Sequence, residues 1–319
     1  MDPDFIGKEK IASLLPMKTC IEVMETMFRS LAGGGCLQPL RSLMWLPDKS
    51  GLLGMMPAYA GEMAMMGVKV ISVFHGNKEA GIPSHQGVVI LMDSRHGRPL
   101  MILDAEEITA IRTAAASAVA TRLLSNPDSS TLAILGSGEQ AQRHIEAIQL
   151  VRDIRQIRVW SRNYEHAAVL ARAVEHRYKV DTRVHKQAAE AVSQADIICA
   201  VTASGQPVLK GEWIAEGAHI NAVGACTPAA RELDGLAVQR SKLYTDNYQS
   251  LLAEAGDFII AKKEDLITDD HVKGEISEVL ARVKRGRETT GEITLFKSLG
   301  IAMEDLYAAS HIYFKLYPR

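Results

Sequence analysis

Apolar positions recur every three or four residues through 19–31, which predicts an early helix, and shorter apolar runs at 40–45, 68–74 and 88–93 predict strands. Asp104 stands three residues before Glu107, the spacing of an N-terminal capping box, and the alanine-rich stretch behind it predicts a helix that reaches Leu124. Ser125, Asn126, Pro127, Asp128 and Ser129 end that helix and predict a domain junction. The pattern then changes. A continuous apolar run at 131–135 predicts a buried strand, Gly136-Ser137-Gly138 a turn, 139–150 a helix, and 157–160 a second strand. Helices at 164–177 and 186–194 and strands at 197–201 and 219–224 extend the alternation. Such alternation predicts an α/β fold: a mostly parallel, doubly wound Rossmann-type sheet with its ligand crevice at the carboxyl ends of the strands. Helical spacing returns at 299–313, and this last helix is expected to complete the first domain, which makes that domain discontinuous.

Length and composition narrow the possibilities. The 319 residues suffice for about two ordinary domains, and 47% hydrophobic content fills their cores, which argues against a disordered or disulfide-stapled chain. The 36 basic and 38 acidic side chains nearly cancel, so no global field recommends a nucleic-acid partner. Small anionic metabolites remain compatible, because a few basic residues can converge in a neutral protein. No apolar run reaches the roughly 20 residues of a membrane span; the methionine-rich stretch after Gly51 is broken by Glu62 and Lys69. Charges at Asp2, Asp4, Lys8, Glu9 and Lys10 interrupt any secretory segment, and the four cysteines lack paired spacing. A reducing, cytoplasmic location is the expectation. No His-Glu-x-x-His motif is present, and no metal is expected.

The strongest local chemistry is the GxGxxA loop, Gly136-Ser137-Gly138-Glu139-Gln140-Ala141, between a strand and a helix. The first glycine permits the tight turn, the second lets backbone approach a pyrophosphate, and Ala141 allows close packing of helix on strand. Uncapped N–H groups at the helix start then meet negative charge. After the next strand the chain reads Ser161-Arg162-Asn163, where an NAD-preferring site often supplies an acidic ribose ligand. Without that acid a 2′-phosphate meets no repulsion, and Arg162 attracts it. NADP(H) is therefore preferred, with NAD(H) as the alternative.

Beyond the glycine loop, the chain carries Gln38-Pro39-Leu40-Arg41, Met56-Pro57-Ala58-Tyr59, Val68-Lys69-Val70, Pro83-Ser84-His85-Gln86, Ile111-Arg112-Thr113-Ala114, His219-Ile220-Asn221-Ala222-Val223-Gly224 and Lys297-Ser298-Leu299-Gly300. In these segments it resembles the ornithine cyclodeaminase and mu-crystallin family over nearly its whole length, and is closest in character to the mu-crystallin-like ketimine reductases. The resemblance implies a substrate and dimerisation domain at 1–125, completed by 298–319, and a nucleotide domain at 126–297. It also implies that Arg41, Lys69 and Arg112 gather around a substrate carboxylate, with His85 nearby. Their chemistry agrees: arginine makes a paired contact to a planar carboxylate, and lysine supplies a point charge or a proton. Lys69 and Arg112 are the expected catalytic residues. Gly136, Ser137, Gly138, Glu139, Gln140, Ser161, Arg162 and Asn163, with Val223, Gly224 and Cys226, form the expected cofactor-binding set.

One departure matters. The family's cyclodeaminases place an aspartate where this chain has Cys226, in Gly224-Ala225-Cys226-Thr227-Pro228. A neutral thiol cannot supply that charge, so Cys226 reads as a small pocket-lining residue. His219 reads as a packed histidine, and Glu304 and Asp305 as structural or solvated acids at a helix start. The methionines at 55, 56, 63, 65 and 66 read as core or dimer packing. The expected activity is NADPH-dependent reduction of a cyclic imino acid, pyrroline-2-carboxylate to proline or its six-membered homologue to pipecolate, in a homodimer. Alanine dehydrogenase-like chemistry, ornithine cyclodeamination and non-catalytic binding of NADPH and a small ligand are the alternatives.

Overall fold

A computed structural model describes residues 3–74, 76–77 and 81–318. The chain divides into two units, one running up to Thr113 and resuming at Gly300, the other comprising Ala114–Leu299. The division therefore falls inside the helix Ala105–Leu124, not at 125–129 where the turn-forming residues predict a junction. Those residues do end the helix. The helix itself serves both units: Arg112 pairs with acids of the C-terminal helix, while Thr121 accepts a hydrogen bond from the Asn221 amide.

The first unit is built on β1 (Asp4–Ile6), β2 (Cys36–Leu37), β3 (Ser42–Trp45), β4 (Leu52–Ala60), β5 (Met65–Val73), β6 (His85–Asp93) and β7 (Pro99–Asp104). Their order is β1-β7-β6-β5-β4-β2, with β3 also paired to β4; only β1–β7 is parallel. The helix Ala302–Leu316 crosses β4, β5 and β6 and packs on the helix Met17–Gly33. The early helix and three predicted strands are present, with β5 and β6 each longer than their apolar runs. Strands β1, β2, β4 and β7 are additional to that reading. In β4 the β signal is diluted by methionines, Gly54 and Pro57. Pro57 is tolerated because β3 pairs with β4 only as far as Met55 and β2 only from Tyr59, so its missing N–H falls in the gap between them.

Cross-strand register fixes which residues share a face. Met56, Lys69, Val89 and Leu103 lie in one row across β4–β7 and all are buried, so Lys69 points into an apolar layer.

The second unit holds β8 (Thr131–Leu135), β9 (Gln156–Trp160), β10 (Asp181–Val184), β11 (Ile197–Ala200), β12 (His219–Ala222), β13 (Lys242–Thr245), β14 (Val272–Glu275) and β15 (Thr294–Lys297). All pair in parallel in the order β10-β9-β8-β11-β12-β15-β13-β14. Leu132 and Ile134 of β8 enter one apolar cluster and Ala133 and Leu135 the other, so the sheet is buried on both faces. This is the doubly wound sheet that the alternation predicts. Its order reverses beside β8, which places the ligand crevice at the carboxyl ends of β8 and β11. Among the described residues no helix is long and apolar enough to cross a membrane.

Candidate active site

The first unit gathers charge in its core. Lys69 is 3% exposed; its Nζ lies 2.8 Å from Asp305 Oδ2 and donates to Thr109 Oγ1 at 3.4 Å. Burial, and next the charge of Arg112, push the Lys69 ammonium down to about 8 against the pull of Asp305, and Arg41 adds to the depression. Arg112, also 3% exposed, donates from Nε to Asp305 Oδ1 at 3.0 Å and from Nη1 to Glu304 Oε2 at 2.5 Å. Burial opposes its charge, but Asp305 and Glu304 outweigh that cost and raise its pKa. Burial likewise opposes ionisation of Asp305, yet Arg112 and Lys69 hold it below the usual carboxylate range.

Gly300 joins the remaining cation to this group. Its carbonyl accepts from Arg41 Nη2 at 3.1 Å, and a Cβ on it would stand 2.6 Å from Arg112 Nη1. Its φ of +71° also favours glycine. Arg112 can lie this close because Gly300 has no side chain, while Arg41 binds its carbonyl. Arg41, Lys69 and Arg112 are brought together, as their spacing across 71 residues could not itself reveal.

For Glu304 and Asp305 the structural reading holds and the solvated one does not. They are neither solvated nor peripheral; both are essentially fully buried and make the ion pairs that hold Lys69 and Arg112. They occupy the first turn of Ala302–Leu316, where the helix dipole favours negative charge. The available signal was their place at the head of an apolar helix, since acids buried there need cations. His85 is exposed at the start of β6, with Nδ1 3.0 Å from Ser84 Oγ.

In the second unit the glycine loop has the shape that its spacing predicts. Gly136 adopts φ +132°, and a Cβ there would lie 2.7 Å from Val201 O. A Cβ on Gly138 would meet nothing within 4 Å, which leaves room for a close approach, and no side chain caps the helix Glu139–Gln149. Ala141 is fully buried against the sheet. Ser137 Oγ donates to Ser161 Oγ at 2.9 Å, tying the loop to the end of β9. These are the features a pyrophosphate needs, and the residues present fit a dinucleotide.

The other expected cofactor residues are diverse. Arg162 is exposed beside Asn163, whose Oδ1 caps the helix Tyr164–Tyr178 by accepting from the Glu165 and His166 N–H groups. Glu139 pairs with Arg143, and the Gln140 carbonyl lies 2.8 Å from His144 Nδ1. Val223 is buried in the sheet core, and the Gly224 N–H donates to Glu232. Cys226 is half-buried and its Sγ donates to the Val223 carbonyl at 3.4 Å. His219 is buried with Nδ1 3.0 Å from Thr294 Oγ1; burial, then Arg287, drives it down to about 3, so it is a neutral packed residue. Among the described residues no group of three His, Cys, Asp or Glu side chains is arranged to hold a metal ion.

Comparison with known proteins agrees with this layout. The family model of the ornithine cyclodeaminase/mu-crystallin family matches residues 1–317. The ketimine reductase mu-crystallin of Rattus norvegicus is 39% identical over 98% of this chain and 96% of its own. A delta(1)-pyrroline-2-carboxylate reductase of Bacillus cereus is 33% identical over 97% and 95%. Among solved structures, the Thermococcus litoralis delta(1)-pyrroline-2-carboxylate reductase in complex with NADH and L-proline superposes with a TM-score of 0.95 at 38% identity, covering 98% of this chain and 96% of that one. An archaeal alanine dehydrogenase dimer with bound NAD gives 0.93 at 31% identity, over 98% and 95%. The chain belongs to the ornithine cyclodeaminase/mu-crystallin family.

Proposed function

We propose that this protein reduces the C=N bond of a cyclic imino acid, pyrroline-2-carboxylate or its six-membered homologue, with NADPH preferred over NADH, and that it works as a cytoplasmic homodimer. The observation that carries the reading is the convergence of half-buried Arg41 with the buried Lys69 and Arg112, which Glu304 and Asp305 hold in place. Cations already oriented and largely shielded from water bind a substrate carboxylate favourably. The similarity to relatives named as ketimine and pyrroline-2-carboxylate reductases supports the same substrate class.

When bound, the reduced nicotinamide supplies the hydride. The chain's own task is to orient and to charge the acceptor. Arg41 and Arg112 fix the carboxylate, and with it the adjacent C=N carbon. Lys69, depressed to about 8, still carries its proton at neutral pH and holds the imine nitrogen protonated, directly or through water. As the carbon accepts the hydride, the π pair of the C=N bond moves to nitrogen and cancels its positive charge, so the product is a secondary amine. No covalent nucleophile is needed, and half-buried Cys226 takes no part in this step.

In the second unit, Gly136, Ser137 and Gly138 with the start of Glu139–Gln149 would hold the pyrophosphate, and exposed Arg162 the 2′-phosphate. For the dimer, β3 and the strand edge around it leave Leu37, Leu40, Leu43, Met44, Trp45 and Met55 exposed, apolar surface on both sides of the sheet that a second copy would cover. A matched assay tests the function. NADPH should be consumed with pyrroline- or piperideine-2-carboxylate, and Arg162→Ala should abolish the preference for NADPH over NADH. Consumption only with pyruvate plus ammonia would instead favour alanine dehydrogenase chemistry, consistent with the likeness to the archaeal enzyme. Ammonia release from ornithine without net cofactor loss would favour cyclodeamination, and binding without turnover a non-catalytic role.

A further inference from the structure

Glu232 is fully buried in the second unit, and its carboxylate fastens together the loops that follow β11 and β12. Oε1 accepts from the Thr202 N–H at 2.5 Å and the Thr202 hydroxyl at 2.7 Å, while Oε2 accepts from the Gly224 N–H at 2.6 Å. The two loops touch here: a Cβ on Gly224 would stand 2.0 Å from Thr202 O and 2.7 Å from Glu232 Cδ. One residue earlier, Val201 O abuts the Gly136 turn. The carboxylate therefore braces the part of the strand edge that also supports the glycine loop.

Glu232 is itself anchored from several sides. Its N–H donates to Asp257 Oδ1 at 2.8 Å, its carbonyl accepts from the Val208 and Leu209 N–H groups, and Asp257 Oδ2 faces Lys297 Nζ at 2.9 Å. A buried carboxylate with three donors on its two oxygens is an expensive arrangement for a loop that only needs to turn. We propose that Glu232 is a positioning residue for the dinucleotide: by tying Thr202 to Gly224 it sets the shape of the loop edge that receives the cofactor. This rests on reading the second unit as a nicotinamide-dinucleotide site. Glu232 acts through the loops and is not a catalytic residue.

Protonation unties the brace, because a carboxyl O–H is a donor set against donors. Burial raises Glu232 to about 7; Lys297 from β15 and the Thr202 hydrogen bonds oppose the rise, and Asp257 from the helix Gly256–Lys263 adds to it. Cofactor affinity should therefore weaken as the pH falls through about 7. The test is a titration of the full chain with NADH, which lacks a titrating 2′-phosphate, followed by quenching of tryptophan fluorescence at pH 8 and pH 6. The wild type should bind several-fold more weakly at pH 6. Glu232→Gln should raise the Kd at pH 8 by about tenfold or more, as expected for loss of a charged hydrogen bond, and flatten the pH dependence. At saturating NADH its kcat should stay close to that of the wild type. Thr202→Val, which removes only the hydroxyl donor, should weaken binding by about threefold and decides the matter if Glu232→Gln does not fold. Wild-type Kd and pH dependence in the folded variants would overturn the proposal alone, whereas a wild type that binds no NADH would overturn the nucleotide reading and this proposal with it.

Discussion

Replacing Lys69 with methionine should lower kcat/KM for a cyclic imino acid by about 100- to 10,000-fold, the range expected when a positioned acid is removed, with a smaller change in stability. Methionine fills the same apolar row between Met56 and Val89. Asp305 keeps Arg112 as its partner, so the variant is not left with an isolated buried charge. The pH profile separates this role from simple packing. Because burial and Arg112 hold the Lys69 ammonium at about 8, the proton is present below that value and lost above it. Wild-type kcat/KM should therefore fall as the pH rises through about 8, and Lys69→Met should lack that limb. A limb that persists at the same pH in the variant belongs to the substrate and removes Lys69 from the proton supply.

Arg112→Met should have a different signature, because it strikes stability and activity together. It leaves Glu304 without the 2.5 Å pair and Asp305 without one of its two cations, both acids being fully buried. Removing one partner of a buried ion pair costs about 3–5 kcal/mol, so a marked drop in Tm is expected. Arg112→Lys keeps the charge but loses the planar fork that reaches both acids and that we propose also fixes the substrate carboxylate. It should fold better than Arg112→Met while retaining a kcat/KM lowered by about 100-fold, two hydrogen bonds' worth of orientation. Thermal unfolding and steady-state kinetics on both variants check this. Equal Tm values for wild type and Arg112→Met would contradict the ion-pair account.

How much of this was legible in the sequence depends on the range of the interactions involved. The strand, glycine turn and helix around Gly136 are local, and their residues state their own conformation: β8 spans the predicted 131–135, and the helix begins at Glu139 as expected. The sheet of the first unit was less visible, because β4 is written in methionine, glycine and proline and becomes a strand only through its neighbours. Whether the acids at 304 and 305 are structural or solvated stays open in the sequence for a related reason. Their partner Arg112 lies more than 190 residues earlier in the chain, and nothing in a helix-terminal Glu-Asp pair states whether it will be solvated or buried. The expected junction at 125–129 marks where a helix ends, whereas the units divide between Thr113 and Ala114 inside that helix, where no local turn signal stands.

The same logic explains why the cations are held as they are. Two positive groups do not lie side by side in a core without acids to stabilise them, and Glu304 and Asp305 do this for Lys69 and Arg112. Gly300 supplies the remaining geometry by accepting Arg41 and making room for Arg112. The most direct measurement of this account is kcat/KM for 1-pyrroline-2-carboxylate against 1-pyrroline, the same ring without the carboxylate, at saturating NADPH. If Arg41 and Arg112 orient the substrate through its carboxylate as proposed, the acid should be favoured by about 1,000-fold or more, because the smaller imine offers those donors no acceptor; equal values for the two imines would contradict it.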